Sequence, residues 1–432
     1  MSEHAHTVNA TVTGISALAG AAQPFAAMKA MCRFLNNEDV PFHALIEPAQ
    51  DAIRDALAQT RDDFALVVHD WCMFQFNSHG SKADRHLRSH KSDLGYELGS
   101  ALVVDAADGR PLGPMEFRLR SRGGMLSTRP GGAGFPPGHV DELADVMAAA
   151  ESWKLPRKLV HVVDREADSV GHYRDWNAAG RLFLVRADAS RNVIHQGRER
   201  KLNDVVAGLA DRFTPAIDDD GEPVIVTLRS GVGRVKTAET PVILHRPARR
   251  NTGEKTAGGN KRQDEIAGEP LPLRMIVTRV VGELGTVHAE WRLFTNVPAD
   301  QADADAIGLW YAHRWEIETY HKLLKSAGMN AEDWRQQEGE AFLRRLCIAS
   351  LACLTVWHLQ RDESAEAAKL RATLVRLSGR QMKHKVESTA PALLAGLERL
   401  LAIDDLMQRD DLAEILALAR RVLPNLFPQR PG

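Results

Sequence analysis

Two apolar segments of this chain each lead to an aspartate, and this pattern limits the possible folds most strongly. The segment "FALVVHDWCMFQF" at 64–76 contains Asp70, and "KLVHVVD" at 158–164 ends on Asp164. Both segments are rich in β-branched and aromatic residues, as buried strands are. A carboxylate at the end of a buried strand is costly to bury without a partner. The pattern therefore predicts a buried sheet with acidic side chains at its edge.

The flanking segments extend this prediction to an α/β fold. Residues 98–122 predict two strands joined by a turn at Asp108–Gly109, and 140–155 predicts an amphipathic helix. A further strand is predicted at 181–187. The order of these elements indicates an α/β core that begins with antiparallel strands. Strand patterns separated by turns continue to about residue 300, and the pattern is helical after that point.

Composition indicates a soluble globular protein. The chain has 432 residues, of which 44% are hydrophobic and 26% charged, and it can hold two or three domains. Its four cysteines form no CxxC pair, which argues against a zinc site or a disulfide framework and suits a reducing cytosol. The apolar run at 348–359 is too short to span a bilayer, so we expect a buried helix there. The N-terminus lacks the basic residues of a signal peptide, so we expect no export.

The charge distribution is more informative than the total charge. A formal net charge of −2 argues mildly against a nucleic-acid partner, because phosphate binding requires positive surface. Basic residues nevertheless cluster in four places, each of which is either a nucleic-acid contact or an ordinary solvated surface. The clusters lie at 118–122, 157–161, 245–262 and 380–385.

The stretch "WYAHRWEIETYHKLLKSAG" at 310–328 predicts an amphipathic helix. At about 100° per residue, one narrow face holds five reactive groups and the opposite face is apolar. Cations placed four residues before and after the acid of this face are typical of ordinary ion pairs. They also suit a metal-binding carboxylate flanked by groups that hold phosphate, and the spacing leaves both interpretations open. The five residues are Tyr311, Arg314, Glu318, Lys322 and Lys325.

Three acids considered together favour the metal site. Taken singly, Asp70 and Asp164 are more typical of cap or turn residues. Two strand-end aspartates and the helical Glu318 in one α/β core are harder to explain separately. Hard divalent cations such as Mg²⁺ prefer carboxylate oxygens, so these three residues are candidate ligands.

These motifs resemble those of the IS4-family DDE transposases, the group that includes the Tn5 transposase. The spacing Tyr311-x2-Arg314-x3-Glu318-x6-Lys325 resembles the YREK signature of that family. "DREAD" at 164–168 resembles its second acidic motif, and "VVHD", which ends at Asp70, resembles its first. "EWRLFTN" at 290–296 resembles the strand before the last catalytic helix. The resemblance extends from about residue 8 to about residue 360.

The resemblance implies a ribonuclease-H-like catalytic core interrupted by a β-rich insertion. It also implies helical regions at both ends, the first of them shortened. The expected divisions are a helical N-terminal DNA-recognition region at 1–60, the first part of the core at 61–187, the insertion at 188–300, the last helices of the core at 301–360, and a helical C-terminal region with a dimer contact at 361–432.

The resemblance also implies roles for individual residues. Asp70, Asp164 and Glu318 would be catalytic and would hold two Mg²⁺ ions, or Mn²⁺ in their place. Trp291 would stabilise a flipped base, although a core tryptophan on a strand is an equally open interpretation. The residues implied to contact DNA are Tyr311, Arg314, Lys322, Lys325, Arg186 and Trp291.

The implied activity is cut-and-paste DNA transposition, with cleavage at the element's ends through a DNA hairpin and joining to target DNA. The implied partners are double-stranded DNA and a second copy of the chain in the DNA complex, without a membrane. The implied location is the cytoplasm, on the nucleoid when bound to DNA. Two alternatives remain open: a metal-dependent endonuclease without strand transfer, and a non-catalytic DNA-binding remnant that inhibits mobility.

Trp71 and Cys72 depart from the family, which often has small hydroxyl residues after the first aspartate.

Overall fold

The computed structural model describes residues 24–422 except 88–92, 135–137, 219–220, 229–230, 256–260, 383–385 and 409. The strands in this part of the chain are β1 Phe64–Gln75, β2 His86–Leu87, β3 Leu94–Asp105, β4 Pro111–Ser121, β5 Gly124–Ser127, β6 Lys158–Val163, β7 Leu182–Arg186, β8 Asn192–His195, β9 Arg198–Lys201, β10 Thr214–Pro215, β11 Ile225–Leu228, β12 Gly231–Leu244, β13 Ala248–Lys255, β14 Lys261–Ile266, β15 Leu271–Val281 and β16 Val287–Thr295. The helices are α1 Pro24–Leu35, α2 Phe42–Gln59, α3 Leu143–Ser152, α4 Val170–Ala178, α5 Leu202–Ala207, α6 Ala304–His313, α7 Trp315–Lys322, α8 Gly339–Arg361, α9 Ala365–Ser378, α10 Ala390–Met407 and α11 Leu412–Val422.

The main sheet is mixed, with the strand order β5-β4-β3-β1-β6-β7-β16-β15-β12-β8-β9 in the described part of the chain. Strands β1, β3 and β4 pair antiparallel, whereas β1, β6 and β7 run parallel. The parallel strands β6 and β7 are joined through α4, as a crossover connection requires. The arrangement β4-β3-β1-β6-β7 is the one expected of a ribonuclease-H-like core. It confirms the predicted α/β fold class.

Strand β1 is buried on both faces, which explains its continuous apolar run. Leu66 and Val68 lie in the core cluster that also contains apolar residues of α6, α7 and α8. Ala65 and Val67 point the other way, into a cluster with Ile53 of α2. This alternation follows from the two-residue period of a strand. It fixes the register that places Asp70 near the end of the parallel pairing with β6.

The segment predicted as a β-rich insertion does contain strands, but they extend the core sheet. Strand β16 pairs antiparallel with β7 and places Leu293 opposite Arg186. Strands β15 and β12 continue outward from β16. Only β13 and β14 form a separate two-stranded sheet among the described residues. The core sheet and the strands after β7 therefore share one backbone hydrogen-bonding network.

The turn at Asp108–Gly109 joins β3 to β4 as predicted. Gly109 has φ +74°, in the left-handed region that favours glycine. A Cβ atom at this glycine would collide with the imidazole of His313 at the end of α6. The turn thus lies directly against the helix that leads into the candidate site.

The helical prediction after residue 300 is confirmed, and α8 is the central helix of this part. Within the described residues it is the one helix long and apolar enough to cross a membrane, and 67% of its most apolar window is buried inside the protein. This burial agrees with the predicted buried helix at 348–359. Buried Arg344 of α8 donates hydrogen bonds to the Leu35 and Val40 carbonyls, which ties the α1–α2 connection to the core.

Candidate active site

Asp70 and Asp164 lie at the same edge of the sheet, on neighbouring parallel strands. In the β1–β6 pairing, Val68 is opposite Val162. Asp70 follows Val68 by two residues and Asp164 follows Val162 by two residues, so the continued register places the two aspartates opposite each other. Neighbouring strands are about 4.8 Å apart. The parallel pairing therefore brings these two predicted site residues together.

Glu318 lies on the helical segment that follows β16, and Arg314 connects it to Asp70. Helix α6, Arg314 and helix α7 form a nearly continuous helical path, and Leu323–Ala327 continues it as a wider π-helical turn. The guanidinium of Arg314 donates from Nη2 to Oε1 of Glu318 at 2.7 Å. Its Nη1 lies 3.9 Å from Oδ2 of Asp70. Arg314 thus lies between the acid of the helix and the acid of β1.

The three acids interact electrostatically. Burial raises the pKa of Asp70 to about 6, and the charges of Asp164 and Glu318 also raise it. The hydrogen bond from the Trp71 amide and the nearby Arg314 guanidinium act in the opposite direction and lower this pKa. An Asp70 carboxyl with this pKa carries a proton more readily than an ordinary aspartate. Burial thus disfavours the charged form of Asp70, and Arg314 offsets part of this effect.

The donor chemistry at this edge suits a hard divalent cation, but the acids do not form a closed coordination shell in this structure. In the part of the chain that is described, no three His, Cys, Asp or Glu side chains are grouped closely enough to hold a metal ion. The carboxylates of Asp164 and Glu318 both act on Asp70, and carboxylate oxygens are the ligands that Mg²⁺ and Mn²⁺ prefer. The residue types therefore fit a divalent cation, although the three carboxylates are not grouped as its ligands here.

Two acids of the "DREAD" segment, Asp164 and Asp168, have different hydrogen-bond partners. Asp164 caps the short 3₁₀ helix Arg165–Ala167 and accepts a hydrogen bond from the Glu166 amide at 2.7 Å. Asp168 points away, and its carboxylate accepts from Arg191 and from the Tyr173 hydroxyl. Asp168 therefore holds the start of α4 against the following strands, while Asp164 stays at the sheet edge.

Trp71 and Cys72, the residues that depart from the family pattern, lie in the packed part of β1. The indole of Trp71 hydrogen-bonds Glu142 and lies against Gly99, where an added Cβ would approach Nε1 to 3.0 Å. Glu142 is buried and also pairs with Arg120. Burial raises the pKa of the Cys72 thiol, so this thiol stays neutral. The large indole is thus part of a buried network that fixes the strand next to Asp70.

The predicted helix face is only partly open to solvent. Tyr311 is 1% exposed, so a direct DNA contact by its side chain is not available in this structure. Burial raises its pKa, while the charges of Arg314 and Arg186 lower it. Lys325 donates from Nζ to the Met73 carbonyl at 2.6 Å and lies 3.5 Å from Glu332. Lys322 is exposed.

Trp291 is a core residue in this structure, as in the second of the two interpretations that the sequence left open. It is 4% exposed on β16, and its ring centroid lies 5.5 Å from that of Tyr311. The physical reason is its position on a central strand covered by α6. Arg186, at the end of β7, is partly exposed and close enough to Tyr311 to affect the pKa of that residue.

Sequence reasoning missed Trp315, an exposed aromatic residue beside the acids. Trp315 is 39% exposed, and the Arg314 guanidinium lies 5.2 Å from the centroid of the Trp315 ring. Trp315 precedes Glu318 by three residues, which places the two on adjacent parts of one helical surface. That spacing is the signal in the sequence that could have identified it.

One comparison with known proteins bears on this geometry. Residues 139–353 match the family model of the transposase DDE domain. The matched range contains Asp164 and Glu318 and the strands and helices that carry them, and Asp70 precedes it. Together with the mixed sheet of the core, this match supports a DDE transposase, an enzyme whose substrate is DNA.

Proposed function

We propose that this protein is a cut-and-paste DNA transposase of the IS4 type, related to the Tn5 transposase. It cleaves the ends of a mobile element and joins them to target DNA. The main support for the proposal is the position of Arg314 between Asp70 and Glu318. Acids that repel one another at a sheet edge are costly unless a cation joins them. A DNA-processing enzyme uses such an arrangement to bind divalent metal.

Asp70, Asp164 and Glu318 are the residues that would hold Mg²⁺ or Mn²⁺ in this proposal. The chemistry that bound metal would supply is activation of the attacking water or 3′-hydroxyl and stabilisation of the departing oxygen in displacement at phosphorus. The protein's own contribution is to hold the acids on two parallel strands and one helix, whose positions the sheet fixes. Rigid elements of this kind position ligands more accurately than loops do.

Arg314 would also contact DNA in this proposal. Its guanidinium lies at Asp70 and Glu318, and a guanidinium can bind a phosphate with two parallel donors. Lys322 is exposed one helical turn beyond Glu318 and adds a point charge for the DNA backbone. Lys325, bonded to the Met73 carbonyl, instead holds the π-helical turn against β1.

Trp315 provides the stacking surface that hairpin formation requires. A hairpin at a DNA end leaves at least one base unpaired. Stacking of such a base on an aromatic ring contributes about 1–3 kcal/mol. The ring of Trp315 is exposed next to Arg314, so a base displaced at the site can reach it without unpacking of the core.

The proposal includes a homodimer on double-stranded DNA, because two element ends are processed together. The C-terminal helices at 361–432 would supply the contact. The exposed apolar residues of these helices include Met407, Ile415, Leu418 and Val422.

We also propose the divisions at 60, 187, 300 and 360 as domain boundaries. A protein with this function acts in the cytoplasm, on the nucleoid.

The test is a cleavage and joining assay on DNA that flanks the gene, with and without Mg²⁺. Asp164→Asn is expected to lower cleavage by at least about a thousandfold while DNA binding is retained. The matched control is Asp175→Asn, which makes the same charge change at an exposed position on α4. Mg²⁺ should also raise the melting temperature of the wild type more than that of Asp164→Asn, because the ion binds the folded site.

The outcomes separate the proposal from its alternatives. Doubled-length strands on a denaturing gel and joined target products support transposition through a hairpin. Cutting without joined products indicates an endonuclease, and binding without Mg²⁺-dependent cutting indicates a DNA-binding remnant. If Asp164→Asn cleaves as well as the wild type, the assigned role of the three acids is wrong.

A further inference from the structure

A cavity of about 300 Å³ lies at the start of β6 and β7, between these strands and the end of α3. It is lined by four cationic side chains and one carboxylate. The lining extends along β6 as far as His161, three residues before Asp164, but it includes none of Asp70, Asp164, Arg314 and Glu318. The cavity and the candidate active site therefore share no residue. The charged residues that line it are Glu151, Lys154, Arg157, Lys158 and Arg181.

The carboxylate in the cavity is already paired with one of the cations. Arg181 donates from Nε to Oε1 of Glu151 at 3.0 Å. Among the described residues, no carboxylate lies within ion-pair distance of Lys154, Arg157 or Lys158. The cavity therefore has positive charge that the protein itself does not neutralise.

The remaining cations contact neutral groups. Arg157 donates to the carbonyls of Pro156 and Thr60 at 2.9 and 2.8 Å, and its buried Nε has no hydrogen-bond partner. Lys158 donates to the side-chain oxygen of Gln301 at 3.0 Å. A buried donor without a partner is uncommon and calls for an acceptor. An anion bound in the cavity would neutralise the cations that line it.

The backbone at the mouth of the cavity is unusual. Lys154 has φ +48°, a left-handed conformation that residues other than glycine rarely adopt. The hydrogen bond from its amide to the Glu151 carbonyl closes the turn after α3. This turn keeps the exposed ammonium of Lys154 at the rim of the cavity. The cluster "RKLVH" at 157–161, which the proposed active site does not use, forms the adjacent wall.

We infer that this cavity is a phosphate-binding pocket, with Lys154, Arg157 and Lys158 as the anion-binding residues. Guanidinium and ammonium groups are the side chains that recognise phosphate oxygens in proteins. The phosphate belongs either to the DNA backbone or to a small phosphorylated molecule. In the first case, DNA bound at the acidic edge has a second contact at the opposite end of the same strands.

The test uses the full chain with the double substitution Lys154→Gln and Lys158→Gln. Both lysines are exposed and neither belongs to the candidate active site. The matched control is Lys369→Gln with Arg376→Gln, which removes the same charge from exposed positions on α9. Inorganic phosphate is titrated against melting temperature at constant ionic strength. The salt dependence of duplex DNA binding is measured by fluorescence anisotropy.

Phosphate is expected to raise the melting temperature of the wild type and the control, but not that of the pocket variant. If the ligand is the DNA backbone, the slope of log K against log salt also falls by about 0.9 for each DNA phosphate that the variant no longer binds. A pocket variant without phosphate stabilisation but with an unchanged slope supports the pocket and assigns it to a small phosphorylated molecule.

Two results would overturn the inference: phosphate stabilises the pocket variant as much as the wild type, or it stabilises none of the proteins and the DNA slope is unchanged. Should the double variant fail to fold, Lys154→Gln alone serves, because this side chain is exposed and makes no ion pair within the described part of the chain. The pocket substitutions leave Asp70, Asp164 and Glu318 unchanged. A failure of the phosphate-binding inference can therefore be distinguished from a failure of the proposed function in the cleavage assay.

Discussion

The candidate active site has a buried side and an open side, which differ in what their residues can do. We call the first the inner wall and the second the outer wall. The aromatic residues of the inner wall are at most 4% exposed, whereas the tryptophan of the outer wall is 39% exposed. The inner wall consists of Asp70, Trp291 and Tyr311. The outer wall consists of Trp315, Glu318 and Lys322.

The two walls meet at Arg314, and the packing of α6 explains why they differ. At Gly308, an added Cβ would lie only 2.7 Å from Oγ1 of Thr278 on β15, so α6 is pressed closely onto the sheet. A close approach of this kind is possible only without a side chain. After Arg314, α7 has an exposed residue at its first position, Trp315. The residues of the inner wall are therefore covered by the sheet and α6, whereas Trp315, Glu318 and Lys322 on α7 are at least partly open to solvent.

The two tryptophans provide the strongest test of this difference. Trp291→Ala should destabilise the fold by about 3–5 kcal/mol, because it leaves a cavity beneath α6. Trp315→Ala should lower the unfolding free energy by clearly less than that, because Trp315 is 39% exposed and loses less buried surface. It should nevertheless lower hairpin formation. Urea unfolding monitored by circular dichroism and a hairpin assay measure the two effects.

A matched pair of substitutions controls for loss of aromatic character. Trp291→Phe keeps most of the buried volume and should retain most of the stability. Trp315→Phe keeps a stacking surface and should retain hairpin formation. If Trp315→Ala destabilises the protein as much as Trp291→Ala does, the division into two walls is wrong.

The strands of the core could be predicted from the sequence because their signal is local. Buried strands such as β1 and β6 are continuous apolar runs, and the turn at Asp108–Gly109 uses a residue pair that favours turns. The parallel register of β1 and β6 then places Asp70 and Asp164 at one edge. The proximity of these two acids is thus a consequence of two local patterns and one pairing rule.

The division into two walls could not be predicted, because it depends on contacts between distant segments. A helical projection places Tyr311 beside Glu318, but the burial of Tyr311 is caused by β16, where Trp291 packs against it. The same limit applies to the segment at 188–300. Its strands could be recognised, but not that β16 would pair with β7 and extend the core sheet. Such pairings are set by tertiary packing rather than by propensity.

Asp70 is the acid of the inner wall, and its pKa tests whether that wall is poorly solvated. Burial raises this pKa to about 6 from its ordinary value of 3.8. Between these values the folded state binds the proton more tightly than the unfolded chain does. The contribution of this carboxyl to the unfolding free energy therefore decreases as pH rises from about 4 to 6. Above pH 6 the contribution stays at its reduced value. The difference corresponds to about 3 kcal/mol at most.

Asp70→Asn should consequently be more stable than the wild type at pH 7.5 without metal, and the difference should disappear towards pH 4. Urea midpoints between pH 4 and 8 in the presence of EDTA measure this effect. Glu318→Gln is the comparison from the outer wall, where the side chain is 37% exposed and Arg314 donates a hydrogen bond to it. No gain in stability is expected there. Equal stability of Asp70→Asn and the wild type at every pH would show that Asp70 is well solvated.

Lys322 gives the smallest effect and the most direct test of the outer wall. It is exposed, so Lys322→Gln should leave the melting temperature unchanged. If the outer wall binds the DNA backbone, the substitution removes one cation that neutralises a phosphate. The slope of log K against log salt should then fall by about 0.9, with a reduction in affinity below about tenfold at moderate salt.

Lys325 differs from Lys322 in that its ammonium is committed within the protein, to the Met73 carbonyl and Glu332. Lys325→Gln should therefore lower the melting temperature more than it changes the salt dependence. The control for both is Lys369→Gln, on the exposed surface of α9. An unchanged slope for Lys322→Gln, combined with a reduced slope for Lys325→Gln, would mean that DNA displaces Lys325 from its carbonyl. The boundary between the two walls would then have to be placed after α7 instead of at Arg314.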